Sequence, residues 1–146
     1  MGMTVQDRPT RAVRAVVRAV TPTFGAGPAT VSEVVEAYAA YRGRPIEVLR
    51  RTLPLGVFGL WLKNDSRDLL IVSTCIATHE QTLAHELGHL VLGHPQGCSS
   101  DPDSRKAAKA AKAEREAEEF AVLLLRRVTA GRTVGRVDAM VDELLG

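Results

Sequence analysis

Thr82-Leu83-Ala84-His85-Glu86-Leu87-Gly88-His89-Leu90-Val91-Leu92-Gly93-His94 is the stretch that decides how this chain is read. Within it, His85-Glu86-Leu87-Gly88-His89 is an HExxH motif. Two histidines four residues apart project from one face of a helix, one turn above the other. Their ring nitrogens can then share a single metal ion. Glu86 stands beside them, placed to act on a water held by that metal. The helix itself is legible. Thr78 and Gln81 have capping-box spacing, Leu83, Leu87, Leu90 and Val91 recur at helical intervals, and Gly93 with Pro95 just beyond supplies a stop. These signals predict a helix from about His79 to Leu92, and Gly88 marks a place where another element passes close to it.

A catalytic zinc site usually takes three protein ligands and leaves one position open. The motif supplies two. His94 follows a helix stop at the wrong spacing for a third, and reads instead as a cation at the helix end. Glu114, Glu116, Glu118 and Glu119 on a second helix offer carboxylates, and two imidazoles with one carboxylate leave a divalent site net positive, which acidifies a bound water. Geometry does not choose among the four. Glu116 shares a helical face with Phe120 and Leu123, which points it toward the core, while Glu114 and Glu118 fall on a different side.

Around these two helices the sequence predicts an α+β domain. Residues 1–29 read as an N-terminal arm: a disordered start, a short amphipathic helix over Thr10–Val20 with Arg11, Arg14 and Arg18 on one side and Val13, Val17 and Val20 on another, and a Pro/Gly linker. Residues 30–146 read as the domain proper. Thr30 and Glu33 form a capping box for a helix to about Arg42, with Val31, Val34, Val35 and Tyr38 inward and Gly43 as its stop. Three apolar segments follow, 45–51, 57–63 and 68–74, the last two joined by a turn at 64–67. They predict a small antiparallel sheet, with Phe58 and Trp61 in the core and Cys75 as a small buried hydrophobe. After a loop over 95–100, Asp101-Pro102 opens a long helix that runs to about Val128. Gly131 breaks it, and a short last helix covers 133–145.

Composition excludes several classes. The net charge of +2 in 146 residues is too small to argue for nucleic acid. No apolar run approaches the roughly 18–20 residues of a membrane span. Arg11, Arg14 and Arg18 interrupt any leader-like apolar region. Cys75 and Cys98 do not make a disulfide framework. The expected setting is cytoplasmic, with reduced thiols.

The active-helix stretch resembles that of the ImmA/IrrE metallopeptidases, which are zincins of the gluzincin type. A second block, Glu114-Arg115-Glu116-Ala117-Glu118-Glu119-Phe120-Ala121, resembles the family's E-x-E-A-x-x-F-A signature. The upstream run Tyr41-Arg42-Gly43-Arg44-Pro45-Ile46 is also similar, so the resemblance covers about residues 30 to 127. It implies a minimal zincin-like domain in which His85, His89 and Glu116 hold Zn²⁺, with Mn²⁺ or Fe²⁺ as acceptable substitutes, and Glu86 acts as the base. By analogy with zincins, a substrate lies extended along an edge strand within 69–74. The resemblance implies as substrate a regulatory protein such as a DNA-binding repressor. Two other functions fit the same residues: a non-catalytic metal-binding module that captures a regulator, and a toxin–antitoxin component of a mobile element. The chain departs from the family in reading Leu124-Leu125-Arg126-Arg127 where a Leu-Met-Pro ending is common, and in carrying no fused helix-turn-helix or sensor domain.

Overall fold

The computed structural model describes residues 7–24, 27–28, 30–95 and 104–145, with the side chains of 7, 104, 106, 129–143 and 145 left undescribed. The expectations for the chain start, for Cys98 and for the helix entrance at Asp101-Pro102 lie outside these residues. Four helices and three strands follow in the order α1 (Asp7–Val20), α2 (Val31–Arg42), β1 (Ile46–Arg51), β2 (Gly59–Lys63), β3 (Asp68–Ser73), α3 (His79–Leu92) and α4 (Ser104–Leu145). The architecture is α+β.

Helix α2 begins where the capping box placed it. The Thr30 hydroxyl oxygen accepts the Glu33 backbone N–H at 3.1 Å, and Gly43 closes the helix in the left-handed region at φ 69°. Glu80 of α3 reinforces the start by accepting the Val31 N–H at 2.9 Å. Thr78, by contrast, makes no side-chain cap to α3. Helix α1 buries Val13, Val16 and Val20 in the same core as Val31, Val34, Val35, Leu70, Leu83, Leu87, Phe120 and Leu124. Its inward row thus runs through Val16, with Val17 only half-buried. The hydrophobic effect assigns that row to the core because Arg11, Arg14 and Arg18 occupy the opposite, exposed side.

The sheet is mixed, which corrects the antiparallel expectation. Its order is β1-β3-β2. β2 and β3 pair antiparallel across a turn that Asn64 builds, its side-chain oxygen accepting the N–H groups of Ser66 and Arg67. β1 pairs parallel to the other edge of β3. The 52–58 segment makes this possible by straddling the end of β3, where Ser73 donates to the Phe58 carbonyl and Thr74 to that of Arg51. β3 takes the centre because Leu69, Leu70, Ile71 and Val72 suit cover on both faces. A central strand has no free hydrogen-bonding edge, so β3 is not the edge strand expected to receive a peptide; β2 is the strand beside α3. Phe58 and Cys75 are exposed rather than buried, since both lie in loops at that end of the sheet. Trp61 packs against the core and donates its indole N–H to Asp68 at 3.0 Å.

Asp68 is 1% exposed. Burial alone would raise its carboxyl, but hydrogen bonds from Arg42, Trp61 and Arg44 outweigh that and hold it below the ordinary value of 3.8. A depressed carboxyl stabilises the fold above its unfolded pKa, and that contribution disappears as pH falls through the folded value. Asp68→Asn should therefore cost about 2–4 kcal/mol at pH 7, since two guanidinium groups lose their partner. The difference from wild type should shrink below pH 3.8. Denaturant melts at pH 7 and pH 3 read both effects.

Helix α4 is continuous through Gly131 to Leu145, correcting the expected break. An interior glycine costs only about 1 kcal/mol against alanine, which the flanking helix formers absorb.

Candidate metal centre

α3 and α4 carry the chemistry, and their close approach depends on Gly88. A Cβ there would stand 3.0 Å from Phe120 Cδ1 and 3.2 Å from the Ala117 carbonyl oxygen. The bare backbone lets the two helices meet face to face, as the sequence predicted for this position. His85 and His89 then present their rings toward α4, centroids 4.8 Å apart. Their Nε2 atoms lie 3.2 Å from each other.

Glu114 stands opposite this pair. Its carboxylate oxygens lie 3.0 Å from His85 Nε2 and 3.0 Å from His89 Nε2. One atom each from His85, His89 and Glu114 falls within 4.8 Å of the others. Glu116 does not join this cluster, contrary to expectation. It is 5% exposed and faces the interior, where its carboxylate meets Arg8 and His94. At 100° per residue, positions 114 and 118 share one helical face and 116 looks almost directly away from it. The expectation assumed that the metal lies in the core, but the histidine pair sits at its rim. His85 and His89 remain partly accessible, with 18% and 13% of their side chains exposed.

The rest of the site follows from the same helical spacing. Glu118, one turn beyond Glu114, approaches His85 Nδ1 at 3.1 Å, and Gln81 donates to its other oxygen at 3.2 Å. His85 is thus held through both ring nitrogens. His94 reaches His89 on the far side. Gly93, in the left-handed region at φ 68°, turns the chain back, and the His94 ring comes to lie with Nδ1 2.9 Å from His89 Nδ1. His94 is buried and hydrogen-bonded, not an exposed cation at the helix end. The sequence reading weighed Glu114 and Glu118 but preferred Glu116, and it gave Arg8 no role. The matching four-residue spacings of His85/His89 and Glu114/Glu118 were the available signal.

Glu86 lies on the adjoining face of α3, against β2. A Cβ at Gly59 would come within 2.9 Å of Glu86 Cγ, so the bare Gly59 backbone lets β2 run directly over this side chain. Burial pushes the Glu86 carboxyl up to about 7, with His85 lowering it and Glu114 raising it further. Burial also holds His89 below its ordinary 6.5, which keeps the ring neutral and its lone pair available. A cleft of about 490 Å³ opens over His85, Glu86 and Glu114, walled by Val57, Phe58, Ile76 and Thr82.

The donor set suits a divalent cation. Two neutral imidazole nitrogens and a carboxylate match the two-histidine, one-glutamate pattern of catalytic zinc sites. Two Nε2 atoms at 3.2 Å cannot both carry a proton without repulsion, whereas a shared cation satisfies both lone pairs. Among the described residues no helix is long and apolar enough to cross a membrane. No curated protein sequence matches the chain. Against protein-family models, the span from the turn before β3 through the active helix to Arg126 gives a match. The paired histidines, the carboxylates of α4 and the Gly88 crossing all fall inside it: residues 64–126 match the model of the IrrE N-terminal-like domain, a peptidase family.

Proposed function

We propose that this protein is a zinc-dependent endopeptidase that hydrolyses a peptide bond in a regulatory protein, with a DNA-binding repressor as the substrate class. One observation carries the reading: His85, His89 and Glu114 converge on one point, and His85 and Glu114 line a cleft together with the buried Glu86. The peptidase-family match over the same residues supports it.

His85 and His89 would hold the cation through Nε2 and Glu114 through its carboxylate. When bound, zinc supplies a Lewis acid that polarises the scissile carbonyl and acidifies the attacking water. Glu86 accepts a proton from that water on a carboxylate oxygen and returns it to the leaving amine. Its raised pKa suits both halves of this exchange near neutrality. Glu118 fixes the orientation of the His85 ring. Val57, Phe58 and Ile76 form the apolar wall that shields the reacting groups from water. The outer edge of β2, which pairs only with β3 among the described residues, offers backbone groups to an extended peptide beside Glu86.

The test is incubation of the zinc-loaded protein with the repressor encoded beside its gene, and with an unstructured peptide library. Fragments that vanish on adding a chelator support the proposal. A stable complex with the repressor and no fragments from either source would mean capture without hydrolysis.

A further inference from the structure

A hydrogen-bonded chain, buried at His94 and Glu116, runs away from the metal centre on the side opposite the cleft. It starts at His89, whose Nδ1 lies 2.9 Å from His94 Nδ1. It continues from His94 Nε2 to Glu116 Oε1 at 3.2 Å. It ends on Arg8 of α1, where one guanidinium nitrogen donates to both Glu116 oxygens at 3.0 Å and the other donates to the Leu92 carbonyl at 3.1 Å. His94 and Glu116 are 7% and 5% exposed. A carboxyl group and an imidazole are seldom sequestered in this way unless each satisfies the next.

We infer that His94 and Glu116, anchored by Arg8, are positioning residues that lock His89 into the tautomer able to bind the metal. The inference rests on the zinc reading proposed above. Proton counting fixes the direction. Two Nδ1 atoms at hydrogen-bond distance need one proton between them. Glu116 is an acceptor, so His94 must carry its proton on Nε2 and leave Nδ1 bare. His89 must then place its own proton on Nδ1 and donate it to His94, which frees His89 Nε2 to face His85 and Glu114. The opposite tautomer of His89 would leave two bare nitrogens face to face. Arg8 keeps Glu116 aimed at His94 and also clamps the last turn of α3, where His89 sits. The N-terminal helix is therefore built into the metal centre, and Glu116, two residues from Glu114, acts through a histidine.

The chain predicts an outer-partner effect on metal affinity, on the order of 10–100-fold. His94→Phe, which keeps a ring and removes the hydrogen bonds, and Glu116→Gln should each weaken Zn²⁺ binding by about that factor in competition with a chromogenic chelator. Glu119→Gln on the same helix should bind as wild type. Nitrogen-15 spectra of histidine-labelled, zinc-loaded wild type should show His94 protonated on Nε2 and His89 on Nδ1, a readout that needs no variant to fold. Affinities of both variants within twofold of wild type, or a proton on His94 Nδ1, would overturn the inference while leaving the zinc reading intact. A wild-type protein that binds no zinc would remove both.

Discussion

Exchange of Glu86 for Gln is expected to lower peptide turnover by roughly 10²–10⁴-fold while zinc affinity stays within about threefold. The two readouts separate because Glu86 is not among the converging donors, although it follows His85 directly in sequence. Consecutive helical residues diverge by 100°, so Glu86 leaves the face that meets α4 and lies beneath β2. Glutamine has the same shape and preserves the packing under Gly59, where an added Cβ would come within 3.0 Å of the Glu86 side chain. What it lacks is a carboxylate oxygen that can take and return a proton near neutral pH. The exchange also removes an acid whose ionisation is opposed by burial. Melting of the metal-free variant at pH 7 should therefore be no lower than wild type, as happens when a functional group is held at a cost in stability. The measurements are steady-state kcat, zinc titration and a thermal scan. Wild-type turnover by the variant would remove Glu86 from the mechanism, and lost turnover with lost zinc would mean that the side chain supports the site and not the proton transfer.

How much of this was legible in the sequence depends on the range of the interaction involved. Helix α3 was readable because its signals are local: the four-residue histidine spacing, the leucine repeat and the Gly93 stop all act within one or two turns. The same holds for the Thr30 cap and the Asn64 turn, each closed by hydrogen bonds between near neighbours. The sheet was harder. Strands 46–51, 59–63 and 68–73 were visible as apolar segments, but the parallel pairing of β1 is set by the path of 52–58 across the end of β3, which no periodicity encodes. Once β3 is central, the edge available to a peptide passes to β2. The third carboxylate failed for a related reason. Facing the core and facing the histidines are different directions on α4, and which applies depends on where α3 crosses it. That crossing is set by Gly88 against Phe120 and Ala117. The N-terminal helix was read as an arm, since neither its valine row nor its arginines identify the carboxylate that Arg8 meets 108 residues away.

Glu114→Gln should then have the largest effect on the metal. Glutamine keeps the length of the side chain but removes the only carboxylate that faces both His85 and His89 among the described residues. The affinity loss should exceed the roughly 10–100-fold expected from disturbing an outer partner, and turnover should fall with it. Thermal stability makes the ranking measurable. Zinc at 100 times its dissociation constant stabilises a folded protein by about 2.7 kcal/mol. At the same free concentration, a site weakened by about a hundredfold or more gains about 0.4 kcal/mol or less. A site weakened by about tenfold keeps about 1.4 kcal/mol. Zinc should therefore raise the melting temperature of wild type most, that of Glu116→Gln by an intermediate amount and that of Glu114→Gln scarcely at all. Reversal of the last two would return the third ligand to Glu116. It would require the Arg8 and His94 contacts to be exchanged for the metal, because Glu116 cannot satisfy both sides of α4 at once.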